Sequence, residues 1–413
     1  MPVNPADLDR AQRALAAALD GSGPPVEFAE DGRAILRPEA ADPAAGGAEG
    51  VVAVVRTSGS TGTPKQTLLT RDALTASAEA TAARIGGEGQ WLLAVGPHYV
   101  AGLAVLSRSI AAGTTPAALE PGPFTAQSFA AAVDRMERGT GFRALSLVPT
   151  QLTRLLLPGS SGSSTDGPGP IAGFGGAAVD ALRTFDAILV GGASVPRRLR
   201  DAAAEAGLRI HLTYGMSETC GGCVYDGVPL DGVTAELVHD PASGVPRLRL
   251  AGPMVSPGYF DDPERTHAHF GVGTEADPDA RWYLTEDTGT VEGAPGAPGG
   301  QRLAVTGRVD DVINTGGMKV SAAAIQRVLE SLPGVHAAFA GPVPDLEWGQ
   351  RVCAAVVPEA EGAFSEAAAR ASIRDRLGPP AVPKQWLVVD ALPLLPNGKT
   401  DRQDLLARFT PPL

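Results

Sequence analysis

The run Val51-Val-Ala-Val-Val55 is separated by Arg56 alone from Thr57-Ser-Gly-Ser-Thr-Gly-Thr-Pro-Lys65, and this junction restricts the fold more than any other segment. Five consecutive apolar residues, four of them β-branched and bounded by turn signals, read as a strand buried on both faces. Such a strand needs layers on either side, which points to an α/β architecture. The loop after it is built for an anion. Gly59 and Gly62 let the backbone turn and present N–H groups, while Ser58, Ser60, Thr61 and Thr63 add hydroxyls. Lys65 adds a point charge suited to phosphate. A Walker A loop requires Ser or Thr directly after its lysine; here Pro64 precedes Lys65 and Gln66 follows it.

Further along, strand and helix patterns alternate. Strands are predicted over 145–148, 187–190 and 209–213, with helices over 150–157 and 196–206, the signature of a parallel sheet with crossover connections. The N-terminus reads as a helix over 5–19 and an extended piece over 34–36, and the tract 158–176 as a Ser/Gly/Pro insertion. After Gly221 short strands with turn residues take over, suggesting a small antiparallel subdomain up to about residue 306. Beyond Arg308 a compact α+β segment begins, with Ile325, Val328, Leu329 and Leu332 on one helical face. At roughly 150 residues per domain, 413 residues suggest two or three units. The boundary is placed near Asp310, giving segments 1–309 and 310–413.

Further segments carry polar chemistry. Thr213-Tyr-Gly-Met-Ser-Glu-Thr219 lies at the end of a predicted parallel strand, where open α/β sheets bind ligands. Tyr214 offers a flat face to a base, Ser217 a hydroxyl to a phosphate, and Glu218 a hard oxygen to magnesium. An ordinary strand–helix turn is an equal reading of that segment alone. Gly191-Gly192-Ala193 ends the neighbouring strand and would let an adenine approach the backbone. Asp287 and Arg308 suit the two hydroxyls of a ribose, although either could serve a structural ion pair. Lys399, in Pro396-Asn-Gly-Lys-Thr-Asp401, would by itself read as a solvated lysine.

With 34 basic against 46 acidic residues, the net charge of −12 argues against a nucleic-acid-coating protein. An anionic ligand must then be held by local donors. Three cysteines provide no disulfide framework, so a reducing cytoplasm is expected. Cys220-Gly-Gly-Cys223 has dithiol spacing, but it opens no thioredoxin-like helix and has no second pair to complete a zinc site. Lining by small residues is the plainer account. The N-terminus lacks a basic start and apolar run, and the apolar helix candidate over 100–112 is short and contains Arg108. Neither a signal peptide nor a membrane span is expected.

Taken in order, these segments resemble the adenylate-forming superfamily of acyl-CoA synthetases, luciferases and peptide-synthetase adenylation domains, over about residues 51–402. The resemblance implies a large N-terminal domain of αβ layers with a small β-barrel, and a mobile C-terminal α+β domain with its hinge at Asp310. It also implies that the loop 57–65 holds the β- and γ-phosphates of ATP. Tyr214, with Gly215, would stack on adenine, Ser217 would contact the α-phosphate, Glu218 would bind Mg2+, and Asp287 and Arg308 would bind ribose. Lys399 would serve adenylation, and Gly316 and Gly317 would line the channel for CoA. This chain departs from the common pattern at Gln66, Glu286 and Met318, and its phosphate loop begins roughly a hundred residues early.

Pro97-His-Tyr-Val-Ala-Gly-Leu103, Leu147-Val-Pro-Thr-Gln-Leu152 and the segment from Ser217 to Gly227 look like the o-succinylbenzoate–CoA ligases of menaquinone biosynthesis, in short form. That likeness implies an aromatic carboxylic acid as substrate and His98 as a catalytic residue at the acyl-pocket gate; a helix-start histidine is the alternative. Arg108 is a candidate for a second carboxylate or a structural arginine. Other acyl-CoA ligases and carrier-loading adenylation domains stay open, and a homo-oligomer is allowed.

Overall fold

The computed structural model describes residues 5–57, 64–136, 141–156, 176–239, 245–275, 277–294, 300–394 and 400–409. Ser58, Gly59, Ser60, Thr61, Gly62, Thr63 and Lys399 lie outside the described residues, as does nearly all of the tract 158–176. The chain divides into two units. The first comprises Met1–Glu236, Arg249–Thr285 and Val291–Leu303; the second comprises Leu237–Leu248, Glu286–Thr290 and Ala304–Leu413.

The first unit opens with helix α1 (Pro5–Asp20), which buries Leu8, Ala11, Leu15 and Ala18 along one stripe. Strands β1 (Val26–Phe28), β2 (Ala34–Leu36), β3 (Val51–Thr57) and β4 (Lys65–Thr70) make a sheet of order β2-β1-β3-β4. As the apolar run requires, Val51 to Val55 are all buried. Strands β3 and β4 are antiparallel, with Arg56 opposite Gln66 and Thr57 opposite Lys65. The residues flanking 58–63 are therefore two antiparallel stems fixed in register.

Helix α2 (Arg71–Ile85) follows, capped by the Thr70 hydroxyl, which accepts from the Ala73 N–H. Next come β5 (Gly89–Leu93), α3 (Val100–Ala111), β6 (Ala117–Ala118), α4 (Ala126–Asp134), β7 (Phe142–Leu147) and α5 (Pro149–Leu156). Then follow α6 (Ala177–Arg183), β8 (Ala187–Gly191), α7 (Arg197–Glu205), β9 (Ile210–Met216), β10 (Gly221–Tyr225) and β11 (Val228–Pro229). These strands form a seven-stranded sheet of order β11-β10-β9-β8-β7-β5-β6. Neighbours from β6 to β9 are parallel, as the alternation predicts, and β10 is antiparallel to β9. Leu92, Phe129, Leu145, Leu182, Ile188 and Leu199 belong to one core between this sheet and its helices.

Strands β12 (Thr234–His239) and β13 (Pro246–Ala251), helix α8 (Pro263–His269), and strands β14 (Phe270–Val272) and β15 (Arg281–Leu284) succeed them. The described strands here form a four-stranded sheet, β12-β13-β15-β14, where a barrel subdomain is expected. A two-stranded sheet of β16 (Asp287–Gly293) and β17 (Gln301–Arg308) leads on.

In the second unit, β18 (Val312–Thr315), β19 (Met318–Ser321), β20 (Val335–Asp345), β21 (Gly349–Pro358) and β22 (Gln385–Val388) form one sheet; helices α9 (Ala322–Glu330), α10 (Glu366–Leu377) and α11 (Arg402–Phe409) complete the unit. Strand β21 is buried on both faces. Val352, Ala354 and Val356 pack with Ile325, Leu329 and Ile373, whereas Cys353 and Ala355 pack with Phe339, Leu405 and Phe409. The period of two sends alternate residues to opposite layers. No helix among the described residues is long and apolar enough to cross a membrane.

Candidate active site

The strand predicted over 209–213 continues as β9 to Met216, so Tyr214 and Gly215 lie within it. The chain then turns through a short 3-10 helix, Ser217–Thr219, and reverses into β10 with Gly221 opposite Met216 and Gly222 opposite Gly215. It is a tight strand-to-strand reversal rather than a strand–helix turn. Cys220 adopts a left-handed conformation, φ 53°, to close it. The Thr219 hydroxyl accepts from the Met216 N–H at 3.0 Å, and the Ser77 hydroxyl donates to the Cys220 carbonyl. At Gly215 a Cβ would stand 2.0 Å from the Gly221 carbonyl oxygen, so no larger residue fits. The reversal holds Ser217 and Glu218 in place, 4% and 5% exposed.

A buried carboxylate needs partners. Oε1 of Glu218 accepts from the Tyr259 hydroxyl at 2.7 Å and the Tyr283 hydroxyl at 3.2 Å, and the Lys65 ammonium stands 3.7 Å from the same oxygen. Those hydrogen bonds all fall on Oε1. Burial, followed by the neighbouring carboxylate charge, holds the Tyr259 phenol protonated far above its ordinary range, which keeps it a donor. Among the described residues, Oε2 keeps lone pairs that would suit a hard cation. The donor set fits Mg2+, which takes few protein oxygens and completes its shell with phosphate and water. No group of three or more His, Cys, Asp or Glu side chains that could hold a metal gathers among the described residues.

Backbone pairing couples the loop stem to this carboxylate. Strand β4 pairs with β3 on one side; on the other, Leu68 N–H donates to the Gly258 carbonyl and Phe260 N–H to the Gln66 carbonyl. Tyr259 therefore rides beside Thr67, with which it forms an isolated bridge, one residue from Gln66 and two from Lys65. Lys65 also lies 5.5 Å over the Tyr259 ring. Thr57 faces Lys65 across the stem. Tyr259 and Tyr283 escape a sequence reading because Glu218 is 41 and 65 residues away; a Pro-Gly-Tyr turn is the only local signal, and it names no partner.

Gly191 ends β8 beside β9, where a Cβ would meet the Thr213 hydroxyl at 2.2 Å; Gly192 has φ 83°. Strand packing thus supplies a reason for glycine at 191 in addition to ligand approach, with Ala193 following. His98 precedes the N-cap of α3, half-buried, its ring tilted 46° against that of Tyr99 with centroids 4.0 Å apart, and with Nδ1 buried and without a partner. Burial pushes its pKa down, so the ring is neutral near pH 7. Arg108 is 7% exposed, donates to the Thr81 hydroxyl at 3.0 Å and lies 5.2 Å over Trp91. Cys220 and Cys223 are free and fully buried, their thiols pushed up by burial, to about 12 for Cys223. A buried, protonated thiol is a poor nucleophile and metal ligand.

In the second unit, Arg308 donates to Asp287 Oδ1 at 3.2 Å. Asp311 pairs with Arg402 at 2.6 Å. Glu286 accepts from Arg247 at 2.8 Å. Gly316 and Gly317 have φ 57° and 80°, and the Gly316 N–H donates to the Trp348 carbonyl. A Cβ on Gly316 would press on the Trp348 ring at 2.8 Å. The side chain of Asp310 lies outside what the structure describes.

The described residues thus combine a seven-stranded α/β sheet with a buried carboxylate, Glu218, held beside Lys65 and two tyrosines. Residues 4–260 match the AMP-binding enzyme family and residues 324–399 the AMP-binding enzyme C-terminal domain, and the chain belongs to that family. It is 39% identical over 367 residues to the probable 2-succinylbenzoate–CoA ligase of Mycobacterium tuberculosis, covering 87% of this chain and 85% of that one. It is 28% identical over 362 residues to the 2-succinylbenzoate–CoA ligase of Escherichia coli, covering 84% and 67%. Its fold is similar to that of o-succinylbenzoate CoA synthetase (MenE) from Bacillus subtilis in complex with the acyl-adenylate intermediate OSB-AMP, with TM-score 0.64, 24% identity, and 86% and 69% coverage. The amide bond synthetase McbA from Marinactinospora thermotolerans superposes with TM-score 0.68 at 27% identity, covering 88% and 71%.

Proposed function

We propose that this chain is an ATP-dependent, AMP-forming o-succinylbenzoate–CoA ligase. The observation that carries the reading is the meeting of Lys65, Glu218 and Tyr259 at one point, in a chain whose 39% identical relative bears that ligase name.

A carboxylate has no leaving group, and ATP supplies one. The acid's oxygen attacks the α-phosphorus, pyrophosphate departs, and an acyl-adenylate forms. The thiol of CoA then attacks the acyl carbon and displaces AMP. Negative charge gathers on phosphate oxygens in the first step, so fixed cations and donors dominate catalysis. Glu218 would hold Mg2+, which would supply part of that neutralisation. Thr57, Lys65 and the loop between them cradle the β- and γ-phosphates, Ser217 donates to the α-phosphate, and Tyr214 packs on adenine between Gly191, Gly192 and Ala193. Asp287 and Arg308, already paired, present an acceptor and a donor to the ribose hydroxyls. Lys399 offsets repulsion between carboxylate and phosphate during adenylation.

The second step needs a path for the thiol, and the left-handed turn at Gly316 and Gly317 is the reading for it. Residues 310–413 act as the mobile domain, pivoting at Asp310, so that one site serves two opposed demands in turn. Neutral His98 sits at the acyl end and can accept a proton or orient the acid there. The test is thioester formation from o-succinylbenzoate, ATP, Mg2+ and CoA, with pyrophosphate exchange across aromatic and aliphatic acids. A preference for another acid, or for a carrier protein or amine over CoA, would overturn the assignment.

A further inference from the structure

Both stems of the phosphate hairpin are fastened, one residue back from Thr57 and Lys65, to a single buried ion pair. Glu27 on β1 and Arg37 just past β2 are 6% and 8% exposed and pair with each other. On the β3 stem, Arg56 donates to Glu27 Oε1. On the β4 stem, Gln66 Oε1 accepts from Arg37 at 3.0 Å. Arg56 and Gln66 are themselves cross-strand partners. The four side chains and the strand pair thus close a ring around the base of the hairpin. Every guanidinium nitrogen of Arg37 is committed, the third to Glu39, and its flat face lies 5.1 Å from the Phe260 ring centroid. Phe260 is bonded through its own N–H to the Gln66 carbonyl, next to the tyrosine that holds Glu218.

A buried ion pair is a poor source of net stability, because desolvation offsets much of its attraction. What it does provide is direction: the planar guanidinium of Arg37, with its nitrogens on three different partners, fixes its neighbours in register. We propose that Glu27 and Arg37 are positioning residues for the nucleotide phosphates, acting through Arg56 and Gln66 to set where Thr57 and Lys65 stand relative to Glu218. Gln66, which departs from the glycine common in the family, is the acceptor that makes the connection on the β4 side. This inference rests on the proposed reading of that hairpin as the ATP phosphate loop.

The test uses the full chain with Mg2+ and ATP. Gln66→Met and Arg56→Met each cut one tie while leaving the Glu27–Arg37 pair intact, so folding is spared. ATP affinity is measured by calorimetry, and KM for ATP and for the acid by pyrophosphate exchange, alongside the melting temperature. The expected result is about tenfold weaker ATP binding and an equal rise in KM for ATP in both variants. KM for the acid and the melting temperature stay unchanged, and Arg37→Met/Gln66→Met is no worse than Arg37→Met alone. If the wild-type chain binds ATP and both variants bind it equally well, or if both KM values drift together with a falling melting temperature, the clamp is overturned. If the wild-type chain binds no ATP, the functional reading falls and the clamp with it.

Discussion

The Tyr259 hydroxyl donates to Oε1 of Glu218 at 2.7 Å, and the two residues are 3% and 5% exposed. That bond occupies one carboxylate oxygen, so under the proposed reading a residue 41 positions away in sequence directs the other oxygen of Glu218 toward the cation. Hydrogen bonds to charged groups contribute about 1.5–3 kcal/mol. Tyr259→Phe is therefore expected to slow pyrophosphate exchange roughly ten- to a hundredfold and to raise the Mg2+ concentration needed for half-maximal rate. Tyr283→Phe, whose bond is longer, should do less. Magnesium titrations of the exchange rate check both; an unchanged magnesium requirement in Tyr259→Phe refutes the positioning role.

The two half-reactions place different demands on the second unit. Lys399→Ala is expected to abolish acyl-adenylate formation and to spare thioester formation from supplied acyl-adenylate. Asp310→Pro, which fixes φ at the proposed pivot, should show the reverse pattern. Single-turnover assays of each half-reaction decide the matter, and equal losses in both would refute the division of labour.

Three thiols are buried and free, with Cys223 and Cys353 raised to about 12 and Cys220 raised as well. Burial is the first cause for each. A thiol whose folded pKa exceeds its unfolded value of about 8.5 contributes stability that is complete below pH 8.5 and is lost as pH rises toward 12. Each such thiol removes about 1.4 kcal/mol per pH unit across that window. Urea midpoints should fall steadily above pH 8.5, less steeply in Cys223→Ala. A disulfide-exchange reagent at pH 8 should label the native chain hardly at all; rapid native labelling would contradict the burial argument.

Close backbone approach, not turn geometry, requires glycine at 215. Gly215→Ala would drive a methyl against the Gly221 carbonyl in the same hairpin that carries Glu218. A loss of about 3 kcal/mol is expected, measured as a shift in denaturant midpoint. Gly191→Ala meets the Thr213 hydroxyl at 2.2 Å, which can rotate away, and the Thr213 carbonyl oxygen only at 2.9 Å, and should cost less.

Strand β3 was legible because five buried apolar residues have few alternatives, and β8, α5 and α7 followed from alternation. Strand β20 was not. Ala337, Ala338 and Ala340, followed by Pro342 and Pro344, carry little strand preference, and only pairing along β21 from Val335 opposite Pro358 to Asp345 opposite Gly349 makes them a strand. In the same way, the motif singles out Glu218 but does not tell how it is held: its tyrosine partners lie 41 and 65 residues away.

Local order therefore determined the hairpin's hydroxyls and lysine, the strand beneath them and the carboxylate-bearing turn, because those depend on residues within a few positions of each other. Folding alone decided that Tyr259 and Tyr283 share one oxygen of Glu218, and that Glu27 and Arg37 bind both hairpin stems. Buried polar atoms must find partners wherever the packed chain brings them, and no spacing along the sequence records that choice.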